Sequence, residues 1–359
     1  MGIGPFDDAT FVLGPEGQAP RLGAVVIGGA AAGKTSLLAA IATTRPGHAV
    51  AQLGARADGG AAGYAICDWH LSDDDPTRPH PLRVVSPNAK LDEPDDTSLV
   101  RRREQTLFDR RAAEGGYALV AISGARWFSR TAVALASPDR SILRYDVRSP
   151  ASFDDASRAD LARETKQALV FAKVGAALAA HGSPLIAAGE GHFRPRNDGP
   201  REDLAARLQR CDAAMTAAMA AVLEDTGYAY EGVDPLRLEP VFSERGTLGL
   251  FDDLPRPLRH VVALAALPLR ALWGAYPHAD PREAEGVVLV DDAEAQMPPS
   301  HQRTLLPRLR NAMPRVQWIV TTASPAVAEG AEQGDVIAAR RLPGSTRVEL
   351  FDGASAVLH

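Results

Sequence analysis

One eight-residue stretch has the residue types and spacing of a phosphate-binding loop, matching the pattern G-x-x-x-x-G-K-[ST]. Small residues let successive backbone N–H groups turn towards phosphate oxygens, and a following helix directs its positive end to the same place. The Lys34 ammonium can reach β- and γ-phosphates, and the Thr35 hydroxyl can coordinate Mg²⁺. The predicted nucleoside triphosphate site consists of Gly28, Gly29, Ala30, Ala31, Ala32, Gly33, Lys34, Thr35 and Ser36.

A chance turn in a chain rich in glycine and alanine is the alternative to a phosphate loop. The flanking sequence favours the loop, because the apolar run Leu22–Ile27 before it is typical of a buried strand. The segment Lys34–Thr43 after it has the pattern of a helix. A strand, a glycine-rich turn and a helix in this order are the context that the motif requires.

A second candidate lies at an acidic strand end, where the apolar run Val287–Val290 is followed by Asp291 and Asp292. A carboxylate in this position of a P-loop protein holds Mg²⁺ opposite the loop hydroxyl, so Thr35 and Asp291 are the predicted metal ligands. Without the P-loop, a solvated acidic turn would be the simpler interpretation.

The last part of the chain alternates strands and helices, which predicts a parallel sheet flanked by helices. Its predicted elements are Gly286–Val290, Ser300–Met313, Val316–Thr321, Pro325–Glu329, Val336–Ala339 and Arg347–Phe351. Upstream, small antiparallel strands are predicted at Tyr64–Trp69 and Leu82–Val85, and a core strand at Tyr117–Ile122. Further helices are predicted at Ser98–Ala113, Asp154–His181, Arg201–Asp225 and Leu258–Trp273, with an exposed loop at Gly182–Pro200.

Composition indicates a globular protein, because 45% of its residues are hydrophobic. The net charge of −6 does not favour a chain-wide attraction to nucleic acid. Two isolated cysteines argue against a disulfide framework or a zinc site. The N-terminus lacks a secretory signal pattern, and Pro268 and Arg270 interrupt the apolar stretch Val261–Tyr276. We therefore expect a cytoplasmic protein without membrane contact.

A longer pattern surrounds the acidic strand end, reading VVLVDDAEAQMPPSHQRTLLPRLRNAMPRVQWIVTTASP. It resembles the C-terminal half of bacterial ABC-type AAA-family ATPases of the RecF/OLD-like and SMC-related group, which is often found in phage-defence and DNA-maintenance systems. The positions kept are Asp291, Glu294, Pro298, Gln302, Pro314, Val316, Gln317, Thr321, Thr322, Ser324 and Pro325.

The resemblance implies an α/β fold: a P-loop NTPase with an ABC-type ATPase head, a mixed sheet, a small antiparallel subdomain and a helical lobe insertion. One composite ATPase domain would comprise an N-terminal core part at 1–125, the helical lobe at 126–240 and a C-terminal core part at 241–359. The resemblance also implies ATP and Mg²⁺ as cofactors, and Asp292 as the catalytic residue that orients the attacking water. Arg126 is implied as a nucleotide contact, with a purely structural arginine as the alternative.

The chain departs from the family pattern at its hydrolytic positions. Where the family has a Leu-Ser-x-Gly signature, Phe251–Leu258 places Pro255 and Pro257, and proline has no backbone N–H to donate to phosphate. Ala323 replaces the switch histidine, and Asp292 is one methylene shorter than the usual glutamate. These three departures predict that binding is better preserved than hydrolysis. The stretch Ala30–Ala32 also lacks the usual Asn and Gly, which lowers the expected affinity for nucleotide.

Two functions follow as expectations. The first is a slow or conditional ATPase that forms a homo- or hetero-oligomer through its head and switches a partner, such as a nuclease or another effector subunit, in phage defence or DNA maintenance. The second is an inactive scaffold whose nucleotide is structural. Nucleic acid stays open as a ligand. A basic cluster of Arg101–Arg103, Arg110 and Arg111 could contact it, although acidic neighbours favour a solvated face there, and so could the segment His192–Arg196. His301 is expected at the surface.

Overall fold

A six-stranded sheet organises the part of the chain that the structure, a computed structural model, describes: residues 2–13, 21–44, 63–69, 82–86, 91–114, 118–133, 160–181 and 204–353. Its strands are β1 (Gly23–Gly28), β4 (Leu119–Ile122), β8 (Gly286–Val290), β9 (Val316–Thr322), β10 (Val336–Arg341) and β11 (Val348–Asp352). They lie in the order β11-β10-β1-β9-β8-β4. All neighbouring pairs are parallel except β10 with β11, so the sheet is mixed.

The central strands are buried because both of their faces are covered by other elements. β1 is buried along its whole length, and β9 is buried except at Gln317. Continuous apolar runs of this kind are characteristic of parallel strands packed on both sides. The carboxyl ends of β1, β9 and β8 therefore meet at one edge of the sheet, with one strand between the P-loop strand and the acidic strand.

Seven helices occur in the described residues: α1 (Lys34–Ala42), α2 (Asp95–Glu114), α3 (Ala162–Ala180), α4 (Leu204–Leu223), α5 (Arg256–Ala275), α6 (Pro299–Ala312) and α7 (Pro325–Glu329). α4 packs against α3, α5 and α6, so it lies at the centre of the helical layer. α5 is buried almost throughout, and Pro268 lies inside it. The helices α3 to α7 and one face of the sheet share the largest hydrophobic core.

Two small antiparallel sheets complete the architecture. One pairs β2 (Ile66–Trp69) with β3 (Leu82–Val85), as predicted. The other joins β5 (Tyr228–Asp234), β6 (Glu239–Glu244) and β7 (Thr247–Leu250), and these strands were not predicted. The pair Arg245-Gly246 joins β6 and β7 in a tight hairpin turn, with φ of 49° and 88° in the left-handed region. A glycine at such a position is a feature of the sequence that can indicate a hairpin.

The predicted fold class is confirmed in this layout: an α/β P-loop fold with a mixed sheet, antiparallel strands and inserted helices. Predicted element bounds in the C-terminal part differ from the observed ones by at most two residues. The loop Gly182–Pro200, with His192–Arg196, lies outside the described residues. The three-part division stays a prediction, and residue 240 falls within β6.

Candidate phosphate-binding site

The predicted phosphate loop connects β1 to α1 at the carboxyl edge of the sheet. β1 ends at Gly28 and α1 begins at Lys34, so the loop is short and its turn is tight. Gly33 has φ of 75° and Ala31 has φ of 57°, both in the left-handed region. Glycine enters this region without strain, whereas alanine at position 31 adopts it at a cost.

The N-terminal segment packs against the loop and restricts which residues it can contain. A Cβ added to Gly33 would lie 2.5 Å from Pro5 Cγ and 2.7 Å from Phe6 Cε2. Phe6 is buried, and the Pro5 carbonyl accepts a hydrogen bond from the Val348 N–H on β11. Gly33 is therefore required by space as well as by its backbone conformation.

Lys34 is held inside the loop. Its ammonium donates hydrogen bonds to the carbonyls of Gly28 at 2.9 Å and Gly29 at 3.0 Å. The residue is buried, with 8% of its surface exposed. The ammonium therefore lies at the mouth of the loop, beside the N-terminal end of α1. An anion bound there is stabilised by the lysine charge and by the partial positive charge of the helix N-terminus.

Thr35 and Asp291 lie next to each other, although 256 positions separate them in the sequence. The Thr35 hydroxyl donates to Asp291 Oδ2 at 2.8 Å. The Thr321 hydroxyl, at the end of β9, donates to the other carboxylate oxygen, Oδ1, at 2.6 Å. Two hydroxyl groups therefore fix the Asp291 carboxylate against the first turn of α1.

The Asp291 carboxylate and the Thr35 hydroxyl form an oxygen-only donor set, which suits a hard cation such as Mg²⁺. Mg²⁺ is typically bound by one or two protein oxygens together with phosphate oxygens and water. Within the described residues, no group of three or more His, Cys, Asp or Glu side chains could hold a metal alone. These residues therefore fit Mg²⁺ that arrives with a phosphate ligand.

Asp292 extends the acidic turn towards solvent. Its φ is 43°, its side chain is exposed, and its N–H donates to the Thr321 hydroxyl at 2.9 Å. Desolvation raises the pKa of the Asp292 carboxyl, and the charges of Asp291 and Glu294 raise it further. A carboxylate with a raised pKa at the edge of a phosphate loop can accept a proton from water or orient it.

The backbone of Gly124, in the loop after β4, approaches this carboxylate closely. A Cβ at position 124 would lie 2.9 Å from both Asp292 Cβ and Asp292 Oδ2. Any side chain at position 124 would therefore displace the carboxylate. Gly124 was not predicted as a site residue, and Thr321 was named only as a position that keeps the resembled pattern, because both roles depend on contacts with strands distant in the sequence.

The loop after β9, where the resemblance implies a histidine, is tied to the acidic turn. Glu294 Oε2 accepts from the Thr322 hydroxyl at 2.6 Å, and Glu294 Oε1 accepts from the Ala323 N–H at 2.7 Å. The Ser324 hydroxyl, which caps α7, also donates to the Gln302 amide oxygen at 2.5 Å. The backbone of this loop is thus fixed, and Ala323 adds no polar side chain.

The stretch Phe251–Leu258, where the resemblance implies a signature loop, is anchored to the helical layer. Phe251–Asp253 forms a 3-10 turn, and Pro255 is the N-cap of α5. Asp252 forms an ion pair of 2.7 Å with Lys166, which has no exposed side-chain surface and also contacts Glu239 at 3.1 Å. Pro257 occupies the first turn of α5, where a backbone N–H is not needed within the helix.

Two other candidates contact protein groups. Arg101 forms an ion pair with Glu93 in which both side chains are largely buried, whereas Arg102 and Arg103 are exposed, so the cluster is only partly a solvated face. His301 lies at the start of α6, and burial lowers its pKa. No helix in the described ranges has the length and apolar character needed to cross a membrane.

Comparison with known proteins gives local similarities, and no family model matches the chain. Over 103 residues the chain is 29% identical to Septu protein PtuA from Bacillus mycoides (strain KBAB4), covering 29% of this chain and 14% of that protein. Over 68 residues it is 37% identical to the Retron Ec83 probable ATPase from Escherichia coli, covering 19% of this chain and 12% of that protein. The chain thus matches less than a sixth of either relative's length.

Solved structures with detectable similarity include SMC head domains. The SMC head domain from Thermotoga maritima is 15% identical with a TM-score of 0.30, covering 40% of this chain and 47% of that one. An SmcHead bound to the C-winged helix domain of ScpA is 14% identical with a TM-score of 0.27, covering 42% and 46%. These TM-scores are too low to support an argument about the fold. The assignment of a P-loop fold rests instead on the loop between β1 and α1 and on the strand order of the sheet.

Proposed function

We propose that this chain binds Mg·ATP between the phosphate loop and the acidic turn. The observation that carries the proposal is the 2.8 Å hydrogen bond between the Thr35 hydroxyl and Asp291 Oδ2. It brings the two parts of a nucleoside triphosphate site, predicted separately from the sequence, to one point. The small residues of the loop leave its backbone open to phosphate oxygens.

Each group has a role that follows from its chemistry. Loop N–H groups and Lys34 would bind the phosphates, and Thr35 with Asp291 would hold Mg²⁺. Bound Mg²⁺ would neutralise part of the phosphate charge and orient the terminal phosphoryl group. Asp292 would orient the attacking water, with Gly124 leaving space for its carboxylate.

We propose slow or conditional hydrolysis. Asp292 offers a carboxylate in the right region, but its side chain is shorter than a glutamate, and a misplacement of about 1 Å can lower a rate on the order of 100-fold. Neither Ala323 nor Pro255 provides a donor group where the resemblance implies one. The second candidate, a scaffold with structural nucleotide, is favoured by these same two residues.

We also propose that nucleotide binding controls association, either with a second copy of the chain or with an effector such as a nuclease, in phage defence or DNA maintenance. The similarity to proteins named for Septu and retron systems supports this role. The catalytic side of the acidic turn is open, since Asp292 is exposed and a partner could complete the site from that side.

Binding and turnover by wild type and Lys34→Ala with Mg·ATP test the function. Calorimetry would measure affinity, and phosphate release would measure turnover. Lys173→Ala is a matched control, because it removes a lysine that pairs with Asp212 on the helical layer. We expect Lys34→Ala to lose binding and Lys173→Ala to retain it. Equal binding by all three proteins, or no binding by wild type, would refute the proposed site.

Asp292→Asn separates the two candidate functions. If the chain hydrolyses ATP through Asp292, this variant should bind ATP like wild type and lose turnover. If wild type binds ATP without measurable turnover, both alone and in its associated state, the result favours the scaffold function over conditional hydrolysis. Sedimentation with and without Mg·ATP would then show whether association depends on the nucleotide.

A further inference from the structure

Arg126 is buried beneath the acidic turn, with only 2% of its surface exposed. Its Nη1 donates to the carbonyls of Ser123 at 3.0 Å and Asp291 at 2.7 Å. Its Nη2 donates to the carbonyls of Asp292 at 2.8 Å and Ala293 at 3.2 Å. Its Nε donates to Nδ1 of His260 at 3.1 Å.

These contacts use the whole hydrogen-bonding capacity of the side chain. A guanidinium has five N–H donors and no acceptor, and the five acceptors above match them. Burial lowers the pKa of Arg126 to about 10, which keeps the group charged at neutral pH. The side chain therefore places a full positive charge among backbone carbonyls, and its donors are already occupied by protein groups.

The three carbonyls of Asp291, Asp292 and Ala293 point to one guanidinium only because the chain turns sharply at this place. Asp292 has φ of 43°, an unfavourable backbone conformation for a residue with a side chain. Carbonyl oxygens that converge without a cation repel one another. The charged hydrogen bonds of Arg126 therefore stabilise the turn that presents both carboxylates to the phosphate loop.

His260 links this turn to α5. The imidazole is fully buried in the early part of the helix, five residues after the N-cap Pro255. Phe128 packs edge-on against it, with ring centroids 4.9 Å apart. Burial lowers the pKa of His260 to about 4, with a further contribution from the Arg126 charge, so its neutral ring accepts the Arg126 hydrogen bond.

We propose that Arg126 is a positioning residue that holds the Asp291–Ala293 backbone and connects its position to α5 through His260. This role replaces a direct nucleotide contact, which the occupied donors of Arg126 do not support. A shift of α5, whose first turn includes Pro257, would then move the carboxylates of Asp291 and Asp292. The expected effect on nucleotide binding rests on the proposed function, whereas the connection from the acidic turn to α5 through Arg126 and His260 does not.

Hydrogen exchange of the full-length protein without nucleotide tests the link. The Asp292 and Ala293 amides donate to the Thr321 hydroxyl and carbonyl, so their protection reports on the turn. Arg126→Met should speed exchange in a peptide covering residues 291–297 by about tenfold or more, with exchange in β10 unchanged. Unchanged exchange, or an equal increase in both peptides, would overturn the proposal.

A second pair of variants keeps the arginine. His260→Leu removes the acceptor for Arg126 Nε, whereas His260→Asn keeps an acceptor oxygen at the position of Nδ1. We expect faster exchange at residues 291–297 in His260→Leu and recovery towards wild type in His260→Asn. Identical exchange in both variants would show that His260 contributes packing alone and would refute its link to the turn.

The difference between ATP affinity with Mg²⁺ and ATP affinity in EDTA tests whether Arg126 positions Asp291 for metal binding. Arg126→Met should bind ATP in EDTA within about twofold of wild type and lose most of the gain that Mg²⁺ gives wild type, since Asp291 is displaced. A full Mg²⁺ gain in Arg126→Met would overturn the positioning role. Absence of nucleotide binding by wild type would instead refute the proposed function, and hydrogen exchange would still decide the link.

Discussion

The Thr321→Val substitution tests the hydrogen bonds that hold the acidic turn together. Thr321 is fully buried, and its hydroxyl donates to Asp291 Oδ1 and accepts from the Asp292 N–H. Valine has a similar shape and fills the same space, so the substitution removes the two hydrogen bonds without opening a cavity. The bond to a charged group is worth about 1.5–3 kcal/mol and the neutral one about 1 kcal/mol. We therefore expect the free energy of unfolding to fall by about 2.5–4 kcal/mol.

Thr321→Ser is the matched control, because serine keeps the hydroxyl and loses one buried methyl group, at a cost of about 1 kcal/mol. Chemical denaturation of both variants and wild type would measure the difference, and the midpoint should shift further for valine than for serine. The Mg²⁺-dependent gain in ATP affinity should also fall in Thr321→Val, since one of the two groups that orient Asp291 is gone. A valine variant as stable as the serine variant would refute this account of the turn.

Three further predictions concern the loop, the helical layer and pH. Gly33→Ala should lower stability by about 1–3 kcal/mol and abolish ATP binding, because the added Cβ is strained at positive φ and collides with Pro5; thermal melts with and without ATP would show both effects. Lys166→Met should lower the free energy of unfolding by about 2–4 kcal/mol in urea denaturation, because Asp252 loses its buried counter-charge. The pKa of Asp292 is raised by the fold, so the charged form is disfavoured and stability from this group decreases as pH rises through that pKa. Asp292→Asn should therefore melt higher than wild type at pH 7.5, with a difference that diminishes towards pH 4; a constant difference across this range would contradict the raised pKa.

The C-terminal part of the fold was predictable because strand and helix alternate there with short connections. Gly286–Val290 and Pro325–Glu329 have the predicted bounds. At β8 and β9 the local apolar pattern and the tertiary environment agree, since both strands are buried on both faces along nearly their whole length. The candidate phosphate loop could be located for a related reason: the motif that defines it consists of contiguous residues.

The three-stranded sheet β5–β7 was not predicted, because its strands alternate weakly. β5 contains Glu231 and Gly232, with a register irregularity between Tyr230 and Gly232. A bulge interrupts the alternation on which strand prediction depends. Local turn signals were present at Asp234-Pro235 between β5 and β6 and at Arg245-Gly246 between β6 and β7.

In the candidate site, the residues that could be predicted are those whose side-chain type indicates a function. Carboxylates after an apolar strand are visible in a sequence, and so are Lys34 and Thr35. Arg126 and Thr321 act through backbone atoms or through a neighbouring strand, and no spacing rule connects positions 126 and 291. The contact of Gly124 with Asp292 is likewise a property of β4 lying beside β8.

Hydrogen bonds already present in the site argue for modest nucleotide affinity. Lys34 donates to two loop carbonyls, and Thr35 donates to Asp291, so phosphate and Mg²⁺ must exchange with these partners when they bind. Each exchange replaces a charge-assisted hydrogen bond, and only the difference between the old and new contacts contributes to affinity. The Glu294 carboxylate likewise accepts hydrogen bonds from the Thr322 hydroxyl and the Ala323 N–H, so these donors are also engaged. The response to nucleotide would therefore begin at Thr35 and Asp291 and reach α5 through Arg126, while the loop after β9 stays fixed.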